Sequence, residues 1–493
     1  MTAVSRTIAG DQLPAAASDL LSAGYRLALV AGHDDGPNLR VVYLFADPAA
    51  DRQVELTLEI SAAEPRIPSL AGLSFPAGRF ERELHDLFGV VPVGHPLPRR
   101  LIRHPHWPAG WYPMRRDRGD PPDFTDADTE PFPFLRVDGP GVYEIPVGPV
   151  HAGMIEPAHF RFSVVGETIV KLKARLWFAH RGIEKHFEGR RAREATPLAE
   201  RISGDTSVAH ALAYTLAVEE ALGIVMPPEG QRLRAVLVEL ERLYNHVADL
   251  GGIANDVGYP IANAHALRLR EQLLRLNQSV TGHRLLRGAI RPGAVSVEAV
   301  PDLDVIRAVA AEAAELAELT LANSVVRDRF TGTAVLNQTQ AADLGCLGVV
   351  ARASGLCGDA RVDHPFVPLA VTPAVHTGGD VLARYLVRRD EIAVSAELVI
   401  ALIADGPLAA AASSPSATRR EPKSHGVGIV EGWRGAIVHR VETDRDGVLT
   451  RVKIVDPSWF NWPALPVALA DTIVPDFPLA NKSFNLSYAG NDL

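Results

Sequence analysis

The stretch EGQRLRAVLVELERLYNHVADLGGIAND, residues 229–256, sets Leu233, Leu237, Leu240, Tyr244 and Val247 at alternating steps of four and three. That spacing lines the five side chains along one helix face, and a face so apolar has to be covered by another element. Comparable helical patterns run through 197–224, 265–285, 301–326 and 377–403, the last preceded by Gly378-Gly379-Asp380. Long amphipathic segments of this kind cover one another as a bundle, so the C-terminal part of the chain is expected to be mostly helical.

The N-terminal part reads differently. A short amphipathic helix is expected over 11–23, and three strands over YRLALVA (25–31), LRVVYLFA (39–46) and QVELTLEI (53–60). These runs are rich in Val, Leu and Tyr and are separated by turn-prone stretches such as HDDGPN. A helix around 80–90 completes a small unit assigned to residues 1–112. Residues 113–140 are dominated by Pro, Asp and Gly without periodicity, and are expected to form an extended linker. The remainder, 141–493, opens with strand-like GVYEIPVGPV and HFRFSVVGETIVKLKARLWF. It turns strand-like again after 426, with a turn at Gly432-Trp433-Arg434-Gly435. The fold class is therefore α+β: a small N-terminal α/β-sheet domain followed by a mostly helical bundle domain with flanking β elements.

Several functions are disfavoured at this level. The formal net charge of −9 gives no electrostatic footprint for nucleic acid. Two cysteines, Cys346 and Cys357, exclude a disulfide framework and fit a reducing compartment; both are expected to be buried and inert. The N-terminus lacks the apolar core of a secretory signal, and the apolar run LVIALIA (398–404) is too short to span a bilayer. Any membrane association is expected to go through partners or a surface patch. There is no phosphate-binding G-x-x-x-x-G-K-S/T and no H-E-x-x-H. Gly426-Val427-Gly428 lacks the third glycine and the following helix of a dinucleotide turn.

Three clusters could carry chemistry. In RISGDTSVAH (201–210), Ser203 and Thr206 precede a helical pattern and read most simply as a cap for its first turn. GPVHAGMIEPAHFRF carries His151, Glu156 and His159, and HRGIEKHFEGR carries His180, Arg181, Glu184, Lys185 and His186. A carboxylate beside imidazoles can relay protons. On composition alone these clusters read as solvated charge on surface loops. His104 and His106, alternating across prolines in RHPHWP, read as a packed turn.

Taken together, the segments resemble one family. ERELHDLFGVVPVGHPLPRRLI (81–102) resembles the signature of the 30 kDa subunit of respiratory complex I. From about residue 145 the chain resembles the complex I 49 kDa subunit and its relatives, the large subunits of membrane-bound nickel–iron hydrogenases. The matching pieces include GPVHAGMIEPAHFRF, HRGIEKHFEGR, RDRFTGTAVL, RASGLCGDARVDHP, EGWRG and DPSWFNWP. Their order and fusion are similar to the large subunit of formate hydrogenlyase and hydrogenase-4 type complexes.

The resemblance implies a site. The family's nickel–iron ligands, two Cys-x-x-Cys pairs, fall on Ser203, Thr206, Ser487 and Gly490. None is a thiol, so no nickel–iron centre is expected in this chain, and no other metal or cofactor is assigned to it. The family's quinone-contacting tyrosine falls on Gly204 and its second loop histidine on Ile155, beside a retained His151. The family's proton-carrying glutamate falls on Glu156. His151, His180, Arg181 and Arg434 are the further cavity candidates. The implied setting is a peripheral subunit on the cytoplasmic side of the membrane, in an NADH:quinone oxidoreductase-like complex. An iron–sulfur small subunit would hold the cluster beside it, antiporter-like membrane subunits would lie below, and a quinone or related acceptor would take the electrons. NAD binding has no support in this chain. The alternative is a non-catalytic structural or coupling subunit of the same kind of complex.

Overall fold

The computed structural model describes residues 2–122, 132–151, 155–405, 418–419 and 421–493. Residues 123–131 of the expected linker and 152–154 of the His151–Glu156 loop lie outside the described residues. The first sheet has the order β1-β4-β3-β2, from Thr2–Thr7 (β1), Arg26–Asp34 (β2), Asn38–Asp47 (β3) and Arg52–Ser61 (β4). Strands β2, β3 and β4 are the three expected ones, and β1 adds to β4 in parallel at the edge. Helix α1, Leu13–Ser22, precedes β2, and α2, Phe75–Phe88, packs across the sheet.

Helix α2 starts where Ser74 accepts the Ala77 N–H and Pro76 enters the first turn, and it stops at Gly89, whose φ of 75° is left-handed. Its acidic side chains are buried, and each has a fixed task. Asp86 gathers the backbone N–H groups of Leu101, Ile102 and Arg103 at 2.8, 2.7 and 3.1 Å. Glu81 accepts from Leu70 N and Ser69 Oγ, both at 2.5 Å. Glu83 pairs with Lys453 Nζ at 2.5 Å, which ties the first sheet's helix to the C-terminal part. The two parts share one apolar cluster, running from Val41 and Phe45 of β3 through Phe80 of α2 to Phe160 and Trp462.

The second part opens with an antiparallel sheet of Val142–Val147 (β5), His159–Val165 (β6) and Thr168–Arg175 (β7). Five long helices follow: Ser207–Leu222 (α3), Pro228–Asn255 (α4), Pro260–Thr281 (α5), Leu303–Ala322 (α6) and Val381–Ala404 (α7). The strands His425–Gly432 (β8), Gly435–Thr443 (β9) and Leu449–Val455 (β10) form a meander against α3. Gly426 and Gly428 of β8 lie so close to the α3 backbone that a Cβ would strike the carbonyls of Ala217 and Ala213. Their absent side chains serve helix–strand contact.

Three expectations need correction. The helical pattern over 197–224 is broken: a short helix, Thr196–Ala199, ends before a turn, and α3 begins at Ser207. Buried Ile202 keeps the apolar period going through residues that are not helical. Cys346 is buried as expected, but Cys357 is exposed. Glu184 is not solvated: it is buried against Arg451 Nη2 at 2.7 Å and Lys453 Nζ at 3.1 Å. Among the described residues no helix is long and apolar enough to cross a membrane.

Helix α4 is covered on more than its apolar face. Glu239, Arg242 and His246 point into a buried charge network shared with α7 and β8. Glu391 takes His246 Nε2 at 2.7 Å and Arg352 Nη2 at 2.5 Å, and Arg352 also reaches Glu431 at 2.9 Å. Arg361 spans Glu239 at 3.2 Å and Asp359 at 2.7 Å. Removing one member strands a charge without solvent, a loss of about 3–5 kcal/mol. Glu391→Ala and Arg352→Ala are each expected to lower the unfolding free energy, read from urea denaturation, by that order. The double variant should fall short of the sum, because the two losses share one pair. Additive effects in the double-mutant cycle would disprove the coupling.

Candidate functional site

The turn at 201–206, the Trp433-Arg434 turn between β8 and β9, and the last helix, Tyr488–Asp492 (α8), meet in the interior. They bring Ser203, Thr206 and Ser487 together, all buried. Ser203 Oγ and Ser487 Oγ share a hydrogen bond of 2.8 Å. Ser487 also caps α8 by accepting the Gly490 N–H at 2.9 Å. Asp205, between the two hydroxyl residues of the turn, is the hub. It accepts from Ser203 Oγ and Thr206 Oγ1, each at 3.0 Å, and from both terminal nitrogens of Arg434 at 2.7 and 2.8 Å. Burial by itself would raise the Asp205 carboxyl, but the Arg434 guanidinium and the two hydroxyls hold it far below the usual range. Trp433 Nε1 donates to Thr206 Oγ1 at 3.1 Å, and the Arg434 guanidinium stacks 3.9 Å from the Trp433 ring centroid.

The cap reading of Ser203 and Thr206 fails. Thr206 is the residue before α3, but its side chain makes no cap hydrogen bond. The first N–H groups of α3 go to the Glu241 carboxylate of α4, Val208 N at 2.6 Å and Ala209 N at 3.0 Å. Burial pushes the Glu241 carboxyl up to about 8. With the cap supplied from another helix, the two hydroxyls are left to Asp205.

The position of Gly490 is closed by a second polar chain. A Cβ there would sit 2.6 Å from the Asp456 carboxylate. Asp456 cannot swing aside easily, since it accepts Ser458 N at 2.7 Å and the His210 Nε2 proton at 3.0 Å. His210 Nδ1 in turn meets His439 Nε2 at 3.1 Å. All three side chains are at most 1% exposed. If His210 donates to Asp456, its Nδ1 is an acceptor and His439 donates from Nε2, so the donors run in one direction. Burial and then His210 hold the His439 imidazole well below its ordinary range, in its neutral form.

The other candidates join this site unevenly. Arg181 is exposed, yet it braces the 201–206 turn by donating to the carbonyls of Arg201 at 3.1 Å and Ile202 at 2.7 Å. Glu156 is exposed and accepts the Ala489 N–H of α8 at 2.9 Å. Half-buried His180 bonds through Nδ1 to the Asp492 carbonyl at 2.7 Å. His151 bonds to the Ala158 carbonyl of its own loop at 2.8 Å. Sequence reasoning missed Asp205, His210, Glu241, Asp456 and His439. Asp205 and His210 lie inside the quoted RISGDTSVAH, but the partners that reveal their roles, Arg434, Asp456 and His439, are hundreds of residues away and leave no local pattern. Among the described residues no group of three or more His, Cys, Asp or Glu side chains is arranged to hold a metal.

Gly490→Ala is expected to destabilise by about 1–3 kcal/mol, the range for forcing extra atoms into packed space. Ser203→Ala should lose roughly 1 kcal/mol, the worth of its hydrogen bonds. Urea unfolding of the two variants checks both values; a neutral Gly490→Ala would show that Asp456 yields.

Known proteins match the chain in the same order as its parts. The family described as respiratory-chain NADH dehydrogenase, 30 Kd subunit, matches residues 7–120. Nickel-dependent hydrogenase matches 181–250, and respiratory-chain NADH dehydrogenase, 49 Kd subunit, matches 256–418. Formate hydrogenlyase subunit 5 of Escherichia coli (strain K12) is 32% identical over 456 residues, covering 89% of this chain and 79% of that protein. Hydrogenase-4 component G of the same organism is 33% identical over 450 residues, covering 88% of this chain and 76% of that protein. Among solved structures, a chain of the membrane-bound sulfane sulfur reductase, an archaeal respiratory membrane complex, aligns with a TM-score of 0.64 and 25% identity. That alignment covers 72% of this chain and 99% of the other.

Proposed function

We propose a function on the premise that this chain belongs to the family of formate hydrogenlyase and hydrogenase-4 large subunits, in which 30 kDa-like and 49 kDa-like parts are fused. It is a subunit of a membrane-bound, complex I-like oxidoreductase that couples electron transfer to proton handling, and it works without a nickel–iron centre of its own. The observation that carries the second half is the cage at Asp205. Soft metals at such sites require thiolate. The four family ligand positions offer two serine hydroxyls, a threonine hydroxyl and a glycine, and the hydroxyls are already committed to Asp205, Ser487 and Trp433. The donor set does not fit the metal.

Electrons then reach this chain's surface from an iron–sulfur small subunit, and antiporter-like membrane subunits complete the complex. The chain sits peripherally on the cytoplasmic side. The acceptor is a quinone or a related species. Gly204 and exposed Ile155 stand where the family's head-group partners fall and supply no side-chain donor. The sulfane sulfur chemistry named for the structural relative is therefore the first alternative acceptor to assay. Arg434, Asp205 and the Asp456–His210–His439 chain give the site fixed charge and an oriented proton path. Glu156, at the start of α8 and open to solvent, is the group that exchanges protons with it. A second reading, a coupling subunit with no chemistry of its own, is favoured by how completely the Arg434–Asp205 pair satisfies the cage.

Purification of the intact complex, with metal analysis, decides the metal question. Nickel well below one per complex is expected, and stoichiometric nickel overturns the proposal. Quinone and sulfane-sulfur reduction assays on the same preparation separate the two readings, since neither activity is expected of a purely coupling subunit. In an active complex, Glu156→Gln is expected to slow proton-coupled turnover by roughly 100-fold, the lower end for a positioned acid–base group. Unchanged turnover with intact assembly removes Glu156 from the proton path.

A further inference from the structure

Away from the Asp205 cage, a cavity of about 440 Å³ opens at the seam between α2 and the sheet β5–β7. Its polar lining is cationic: Arg79 and Arg82 of α2, Arg99 of the following loop, and Arg175 at the end of β7. None of the four forms an ion pair with a carboxylate among the described residues. Their N–H groups go to neutral acceptors instead. Arg82 donates to the carbonyls of Arg99 and Arg100 at 2.8 and 2.9 Å, and Arg175 to those of Ile102 and Arg103 at 3.2 and 3.1 Å. Arg79 donates to the Trp459 carbonyl and to Asn491 Oδ1, and Arg99 to the Pro133 carbonyl. Arg175 is 3% exposed, and its Nε–H has no partner; nor has the indole N–H of Trp177, which lines the same cavity.

Four guanidiniums that no carboxylate among the described residues pairs directly, with Asp86, Glu83 and Asp492 acting on three of them only from a distance, are unusual in a chain whose net charge is −9. Burial, then the neighbouring guanidinium of Arg82, lowers Arg79 to about 9. Burial is likewise the main cause that lowers Arg82 and Arg175 to about 10. An anion in the cavity would relieve both the desolvation and the mutual repulsion. The mouth is apolar. Phe75 and Leu97 line it and are each 46% exposed, and Leu73 and Val93, two residues from Phe75 and His95, are exposed as well. Large side chains left in water around a cationic floor mark a surface that another protein covers.

We propose that this cavity docks a segment of a partner subunit that carries a carboxylate flanked by apolar side chains. The carboxylate would face Arg82, Arg99 and Arg175, and the apolar neighbours would cover Phe75 and Leu97. The inference rests on the reading that the chain works inside a multisubunit assembly. It gives the arginines of the ERELHDLFGVVPVGHPLPRRLI region a task that the Asp205 site does not use.

The test replaces exposed Leu97 with the photo-crosslinking residue p-benzoylphenylalanine in the full chain, irradiates the purified complex, and identifies the adduct by mass spectrometry. The expected result is an adduct to a partner subunit's peptide containing Asp or Glu. The adduct should be lost when that acid is changed to its amide, or when the exposed Arg99 is changed in Arg99→Glu. An adduct to a peptide without a carboxylate, to lipid, or within the same chain overturns the inference. So does co-purification of the complex with no adduct. If no partner co-purifies at all, the assembly reading falls and this inference falls with it.

Discussion

The Arg434–Asp205 ion pair holds three separate pieces of chain at one point. Asp205 comes from the turn before α3, Arg434 from the hairpin between β8 and β9, and the Asn485 carbonyl that accepts Arg434 Nε precedes the last helix. A charge taken out of water has to be paired and hydrogen-bonded, and buried Arg434 meets that demand through Asp205, which keeps one side open to solvent. Once it does, Ser203, Thr206 and Trp433 have fixed partners, and the 201–206 turn cannot continue the helix that its sequence pattern imitates. The break in the helix and the polar character of the site thus share one cause.

The same economy explains the wider interior. Helix α4 carries an apolar stripe, as its period requires, and also a charged row that is just as deeply buried. Glu239, Arg242 and His246 lie among Arg352, Arg361, Glu391 and Glu431, with acids and bases alternating. Such a network adds little net stability compared with apolar packing, but it punishes any other register of α4 against α7 and β8. The bundle is thereby held in one register beneath the cage, and the α3 start, tied to Glu241 of α4, inherits that precision.

Much of this was legible in the sequence because the forces behind it are local. Helical patterning located α4, α5, α6 and α7, and runs rich in Val, Leu and Tyr between turn-prone stretches located β2, β3 and β4. Strand β1 was missed because TAVSRT is short and polar, as an edge strand can be. The expected burial of Cys357 failed because its apolar, Gly-rich surroundings say nothing of which side faces solvent. At the site, the family resemblance located Ser203, Thr206, Ser487 and Gly490, yet not what replaced the sulfur. Asp456, His210 and His439 are separated by 229 and 246 positions across their two contacts, and no spacing rule reaches that far. Gly426 and Gly428 looked like a fragment of a nucleotide turn, whereas their role is steric and visible only once α3 is laid against β8.

The closeness of Asp456 to Gly490 also bears on how such a site can change over generations. Cysteine at all four family positions would still leave the last thiol pressed against a carboxylate that is pinned by His210 and a backbone amide. A side chain at 490 would fit only if Asp456 shifted, and that shift would disturb the hydrogen bond by which it orients His210. Restoring sulfur at position 490 is thus a matter of repacking as well as of ligand chemistry.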